Sequence, residues 1–360
     1  MPMKTYKVIG LMSGTSLDAL DLAYCHIRKN LTRWEYEIKA TRSISYDKTR
    51  YGKLKSAIDL PADQLFRLHN DYGTWLGEQS KRFKEEEGLE VDFISSHGHT
   101  VHHQPENGMT FQLGSGQHLA NASGIRTVCD FRTNDVALGG QGAPLVPVGD
   151  HFLFASYDFC LNLGGISNIS FHRDGKRIAF DIGVANMLLN HITSKEDIPY
   201  DKGGARARKG EIIPSLLKSL DNLAYYKKPY PKSTGYEWFT TEVAPLVDAT
   251  EAPLESLLHT AVHHICGQIG QVVRKLSSKG KKTLLVTGGG ALNTYLTEVL
   301  QEKAGDDISL EIPSPQLIEF KEALVFAFMG VLRIEQEINV LSSVTGARRD
   351  SSSGVVYLPS

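Results

Sequence analysis

The run Ser13-Gly14-Thr15-Ser16 stands beside two aspartates, Asp18 and Asp21. A tight turn of such small residues presents backbone N–H groups that can wrap a phosphate, with the hydroxyls as extra donors. Asp18 and Asp21 are hard oxygen ligands, suited to hold Mg²⁺ through its water shell. An ordinary hairpin turn uses the same residue types; the two adjoining acids tip the reading towards phosphate. A second turn, Gly288-Gly289-Gly290 followed by Asn293, lies between a β-type run and a helical pattern. Backbone there can approach a ring or a phosphate closely, near a helix N-terminus. The chain has neither GxxxxGK[ST] nor GxGxxG, so it lacks the P-loop and dinucleotide fingerprints. Its phosphates would be held by turns from the two halves of the chain.

Asp181 closes a β-type run and precedes Gly183. At the carboxyl end of a strand an aspartate faces the ligand crevice of an open α/β fold, as a general base or a Mg²⁺ ligand. It could equally cap the next helix. The stretch His97-Gly98-His99-Thr100-Val101-His102-His103-Gln104 raises a three-histidine zinc site. No carboxylate or cysteine lies within it, so a sugar-binding loop using His97 and Thr100 is favoured. Arg132, in Asp130-Phe131-Arg132, is a fork-shaped donor matched to a carboxylate. Glu322 heads an apolar helical run. It is either a substrate ligand or a carboxylate placed there by the helix dipole.

These groups need strands and turns to carry them. Tyr6 to Met12 and Leu20 to Ile27 read as a hairpin. Tyr36 to Tyr46, Phe93 to Ser96, Cys160 to Leu163, Ile169 to Phe171, Arg177 to Asp181 and Leu284 to Thr287 read as further strands. Leu254, Leu258, Ala261, Ile265, Ile269, Val272 and Leu276 form the apolar face of one long helix. Its His259, His263 and His264 read as packing or surface residues. Another helix should start near Leu292 and a last one span Glu319 to Glu337. Gly139 to Pro144 reads as a hinge between the halves, and Ser351 to Ser353 as a mobile tail. Strand runs alternating with helices predict an α/β fold.

With 360 residues, about two domains are expected. A net charge of -2, from 39 basic and 41 acidic residues, gives no basic face for nucleic acid. Four scattered cysteines, without a CxxC pair, point to buried reduced thiols in a cytoplasmic protein. Neither a signal peptide nor a membrane helix is expected.

Taken together, GLMSGTSLDALD, SSHGHTVHHQP, DFRTNDVALGGQGAPLVP, LNLGGISNIS, FDIGVANMLLN, YDKGGARARKG, TGGGALN, EALVFAF and VTGA resemble the anhydro-N-acetylmuramic acid kinases. That family belongs to the superfamily of sugar kinases, chaperone ATPases and actin. The resemblance implies a two-lobed actin-like, ribonuclease H-like fold, with duplicated mixed sheets flanked by helices and a central ligand cleft. The lobes are expected at 1–135, with 336–360 available to complete it, and at 136–335. It implies ATP and Mg²⁺ as cofactors and a homodimer. The reaction would open the 1,6-anhydro bridge with water and phosphorylate the freed 6-oxygen, in peptidoglycan recycling. By this resemblance Asp181 is the base, and His97, Thr100, Arg132, Gln141 and Glu322 contact the sugar. Ser13, Gly14, Thr15, Ser16, Asp18, Asp21, Gly164, Gly165, Gly183, Asn186, Gly288, Gly289, Gly290 and Asn293 serve ATP. The sequence departs from the family's pattern at Ala19, His99, Ile182, Val184, Ala185 and Asn190. A kinase of a related amino sugar and an ATP-switched binding protein are the alternatives.

Overall fold

The computed structural model describes residues 4–14, 17–31 and 33–360. The chain divides into two units: Met1–Ala155 with Phe320–Ser360, and Ser156–Glu319.

In the first unit β1 (Thr5–Ser13), β2 (Ala19–Asn30) and β3 (Arg33–Ser45) form an antiparallel meander. β4 (Phe93–Ser96) pairs parallel with β1. β5 (His99–Gln104) and β6 (Met109–Leu113) form a separate hairpin, and β7 (Thr127–Cys129) pairs parallel with β4. Val8, Ile9 and Leu11 in β1 are all fully buried, because helices cover both faces of the sheet. Tyr72, Leu76 and Phe83 of the helix Ala62–Glu86 pack against Ile9, Leu11 and Leu22. The helix Pro315–Ile334 brings its residues from Phe320 onward to the sheet. A side chain at Gly10 would collide with the Ala323 carbonyl, and one at Gly330 would sit 2.6 Å from Ser95 Oγ. Ser95 in turn donates to the Phe326 carbonyl at 2.5 Å.

The second unit repeats the plan. β8 (Phe159–Leu163), β9 (Ile166–Arg173) and β10 (Lys176–Val184) are antiparallel, and β11 (Lys282–Thr287) and β12 (Ile308–Glu311) continue the sheet in parallel. The orders β3-β2-β1-β4-β7 and β10-β9-β8-β11-β12 match strand for strand. This is the ribonuclease H-like order, present twice, in an α/β fold. The helix Leu254–Leu276 buries Leu258, Ala261, Ile265 and Ile269 into this unit's core with Leu161, Leu163, Leu284 and Val286, at the expected three- and four-residue steps. On it His264 is buried, bonded to Asp221 at 2.6 Å. All four cysteines are buried free thiols.

Several expectations change. The boundary expected at 135/136 moves to 155/156, and the returning segment begins at Phe320 rather than at 336. Residues 136–155 belong with the first unit because Gly149 packs against Val325 and Asp150 pairs with Lys321 at 2.9 Å. Gly139 to Pro144 is therefore no hinge. Fully buried Asp135 holds it, accepting from Gly142 N at 2.8 Å and Thr345 Oγ1 at 2.7 Å, while Gln141 N donates to the Thr345 carbonyl at 2.9 Å. Nor is Ser351 to Ser353 a mobile tail. Ser351 exchanges backbone bonds with Val340, Ser353 N donates to Asn339 Oδ1 at 2.7 Å, and β13 (Val355–Tyr357) pairs with β7. The last helix starts earlier than expected, at Pro315, where Ser314 Oγ accepts from Leu317 N at 3.3 Å; this is a cap followed by proline at the first helical position. It ends at Ile334, before Gln336 turns to a positive φ of 57°.

Asp135→Ala would leave the Gly142 N–H and the Thr345 hydroxyl without their acceptor. At about 1–3 kcal/mol for each stranded polar group, we expect a loss of about 3 kcal/mol, read as a lower urea midpoint. An unchanged midpoint would mean the Asp135 bonds do not hold this segment.

Candidate active site

In the first unit the structure joins Arg132 to His97. Arg132 Nε and Nη2 lie 3.0 and 2.8 Å from His97 Nε2, and Nη1 donates to the Gly142 carbonyl at 2.5 Å. A guanidinium only donates, so Nε2 is the acceptor and the imidazole proton sits on Nδ1, 2.9 Å from the Gly98 carbonyl. Burial and then the Arg132 charge hold the His97 pKa well below its usual value, so the ring is neutral. Burial also lowers Arg132, to about 10, against the pull of Glu322 and Asp135; it remains a cation at neutral pH. These bonds use three of the five guanidinium N–H groups, so two can meet a ligand.

Glu322 lies inside the helix Pro315–Ile334, not at its start, so the helix dipole does not explain it. Solvent reaches its side chain, yet surrounding protein raises its pKa, with the Asp21 charge adding and Lys321 and Arg132 opposing. Gln141 is exposed beside Gly142, and the His103 ring bonds its backbone. Thr100 is on β5, opposite Gln112. His97, Arg132, Gln141 and Glu322 are thus tied into one neighbourhood.

Thr15 and Ser16 lie outside the described residues. Around them, Leu17 N bonds the Gly14 carbonyl at 3.2 Å. Ser13 is buried, and its hydroxyl accepts from Tyr46 at 2.7 Å and bonds His99 Nδ1 at 3.2 Å. It therefore anchors the end of β1. Burial pushes His99 down to about 4, so this ring too is neutral. Asp18 is exposed, and half-buried Asp21 accepts from Ser43 Oγ at 2.7 Å. The Asp21 charge adds to the rise in the Glu322 pKa. Asp18 and Asp21 are oxygen donors of the kind a hydrated divalent cation takes, and among the described residues no group of three or more His, Cys, Asp or Glu is placed to hold a metal.

In the second unit the glycine turns meet at the carboxyl ends of β8 and β11. The Gly165 carbonyl accepts from Ala185 N and Met187 N, and the Gly164 carbonyl from Asn186 N, so they satisfy the start of the helix Asn186–Ser194. Asn186 Nδ2 donates to the Leu163 carbonyl at 3.0 Å. A side chain at Gly288, where φ is 80°, would lie 2.5 Å from Asn162 Oδ1, and one at Gly290 would lie 2.7 Å from Leu163 Cβ. Those two glycines are required by packing. At Gly289 the nearest neighbour would be 3.8 Å away, which makes it the open position of the three. The helix expected from Leu292 begins at Thr294, with Asn293 as its cap accepting from Leu296 N at 3.0 Å. Gly203 and Gly204, which sequence reasoning gave no role, close on this turn: Thr294 Oγ1 donates to the Gly203 carbonyl at 2.9 Å, and a side chain at Gly204 would strike Asn293 Oδ1.

Asp181 lies within β10, not at its end, just before a bulge at Gly183. The next helix is capped by Ala185 without a side-chain bond, so Asp181 is not its cap. A strap from Tyr225 to Thr234 surrounds it. Thr234 N donates to Asp181 Oδ2 at 3.1 Å, Asp181 N to the Lys232 carbonyl at 3.2 Å, and the Tyr225 hydroxyl to the Asp181 carbonyl at 2.8 Å. Burial raises the Asp181 carboxyl above its usual range, opposed by the Thr234 N–H and the Lys232 charge. Gly183 is explained by Tyr226, whose ring fills the place a side chain would take. Ile182, Val184 and Ala185 point into the core, so these departures alter packing. Asp181 pairs with Asn168 on β9, three residues past Gly165, about 10 Å at strand spacing.

The sequence profile described as anhydro-N-acetylmuramic acid kinase matches residues 6–359. The chain belongs to this family. An anhydro-N-acetylmuramic acid kinase of Nitrosomonas europaea is 34% identical, over 97% of this chain and 99% of its own. Relatives of that description from Vibrio cholerae and Aliivibrio fischeri are 34% and 35% identical, each over 98% of this chain and over 98% and 99% of their own. Membership in a kinase family implies ATP use. Among the described residues, no helix is long and apolar enough to cross a membrane.

Proposed function

We propose that this chain opens 1,6-anhydro-N-acetylmuramic acid with water and transfers the γ-phosphoryl group of ATP to the freed 6-oxygen, giving N-acetylmuramic acid 6-phosphate for peptidoglycan recycling. The supporting observation is Asp181: a carboxylate with a raised pKa and one oxygen fixed by a backbone N–H. Inverting glycosidases pair a carboxylate base with a carboxylic acid that protonates the leaving oxygen. Here phosphoryl transfer captures that oxygen, so one carboxylate suffices. Asp181 takes a proton from water as the water attacks the anomeric carbon. The bond from that carbon to the 6-oxygen breaks, and the oxygen takes the phosphoryl group while ADP leaves.

Arg132 offers two N–H groups to the lactyl carboxylate, and His97, Thr100, Gln141 and Glu322 grip the sugar. The glycine turns at Gly14, at Gly164 and Gly165, and at Gly289 bind and orient ATP. Asp18 and Asp21 would hold Mg²⁺ through water, which neutralises phosphate charge when bound. The reading carries with it a homodimer and a cytoplasmic site of action, as the family resemblance implies.

A coupled ADP-release assay tests it, with the anhydro sugar, N-acetylmuramic acid, N-acetylglucosamine and no sugar. ADP release with the anhydro sugar alone is expected. Equal release without sugar would sink the proposal in favour of an ATP-switched binding protein.

A further inference from the structure

Thr234 presents two polar groups at the base. Its backbone N–H is spent on Asp181 Oδ2, at 3.1 Å. Its hydroxyl oxygen is buried and finds no hydrogen-bond partner among the described residues. Such a group is destabilising unless something fills its bonding capacity, and a functional site is where one is retained. Covalent geometry keeps the Thr234 hydroxyl about 3 Å from its own nitrogen, which puts it at most about 6 Å from Asp181 Oδ2, the span one water bridges with bonds of about 3 Å to each side.

We infer that the Thr234 hydroxyl is the second holder of the attacking water, alongside Asp181. The inference rests on the proposed function. A water that gives one proton to Asp181 and directs its other into Thr234 Oγ1 has a lone pair left in a fixed direction for the anomeric carbon. A water held at one point would rotate. The two polar side chains of the strap that also bond near Asp181 are already engaged: Lys232 Nζ donates to the Tyr225 carbonyl at 3.2 Å, and the Tyr225 hydroxyl donates to the Asp181 carbonyl at 2.8 Å. In the step itself the water oxygen bonds to the anomeric carbon, its proton passes to Asp181, the bond to the 6-oxygen breaks, and that oxygen takes the γ-phosphoryl group from ATP. Thr234 gains and loses no proton; it is a positioning residue.

The test compares wild type, Thr234→Val and Thr234→Ser in the ADP-release assay with the anhydro sugar, together with thermal melts. Valine keeps the shape and removes the hydroxyl; serine restores it. Thr234→Val should lower kcat about 10- to 100-fold and leave both KM values within about twofold, as loss of an interaction made only in the transition state does. Its acid limb of activity should stay in place, since the backbone N–H to Asp181 remains. Thr234→Ser should recover most of the rate. The valine variant should melt at or above the wild-type temperature, because an unpaired buried hydroxyl has been removed; a purely structural hydroxyl would lower it. A fully active Thr234→Val, or a serine variant as slow as valine, overturns the inference alone. A wild type that releases no ADP with the anhydro sugar overturns the proposed function and this inference with it.

Discussion

Asp181→Asn should lower sugar-dependent ADP release by about 10²- to 10⁴-fold, the usual contribution of a general base, and should also raise thermal stability at neutral pH. Both effects follow from burial. The carboxyl is held above its ordinary value of 3.8 in the fold, so the folded chain binds this proton more tightly than the unfolded chain. The stability it contributes is fully present below the unfolded pKa and is lost as pH rises through the folded pKa. At neutral pH the ionised Asp181 is therefore a cost, which a neutral asparagine removes while its carbonyl still accepts from Thr234 N. The gain in melting temperature should shrink at a pH below 3.8, where wild-type Asp181 is itself protonated. Wild-type activity should fall as pH drops through the raised pKa, because a base must be ionised to act. An asparagine variant with wild-type turnover would remove Asp181 from the mechanism. A gain in stability that persisted unchanged in acid would show that burial of charge is not its source.

Asp181 was legible in the sequence as a candidate because its signal is local: a β-type run, an acid, then glycine. Its surroundings were not. Tyr225 lies in a single helical turn, Ala224–Lys227, and Lys232 and Thr234 in the irregular stretch after it; neither is long enough to show a period, and only folding lays them along β10. The glycines divide the same way. Three in a row after a strand announce a turn, but that packing fixes Gly288 and Gly290 while Gly289 stays open depends on Asn162 and Leu163, which lie on another strand. Gly139 to Pro144 has the composition of a hinge and is rigid, because its restraint comes from Asp135 and from Thr345, which is 210 residues from Asp135. The serines at 351 to 353 have the composition of a loose tail, and Asn339 and Val340 fix them. Propensity reports what a segment does alone, and in both places a buried side chain overrides it. The repeated sheet order was only a loose echo in the sequence, since topology can be shared by strands whose residues have little in common.

Arg132→Lys should reduce kcat/KM for the anhydro sugar by about 10²-fold, mostly through KM for the sugar, with KM for ATP unchanged. The substitution keeps the positive charge, so the size of the effect measures geometry. Arg132 reaches His97 Nε2 with two N–H groups and the Gly142 carbonyl with a third, and it does so as one planar fork. An ammonium group is a single point and cannot keep both partners at bonding distance. Hydrogen bonds to charged groups contribute about 1.5–3 kcal/mol, and about 3 kcal/mol corresponds to about 10²-fold in an equilibrium constant. The loss spreads to His97. Without the guanidinium at Nε2, the ring is held only at Nδ1, by the Gly98 carbonyl, and its other nitrogen is left unfixed. For this reason Arg132→Lys and His97→Ala should be strongly non-additive, with the double variant little worse than the worse single one, as expected for residues that act through one another. Additive losses would show that His97 and Arg132 meet the sugar independently. A lysine variant within about threefold of wild type would show that charge alone binds the carboxylate and that the fork serves only to hold Gly142.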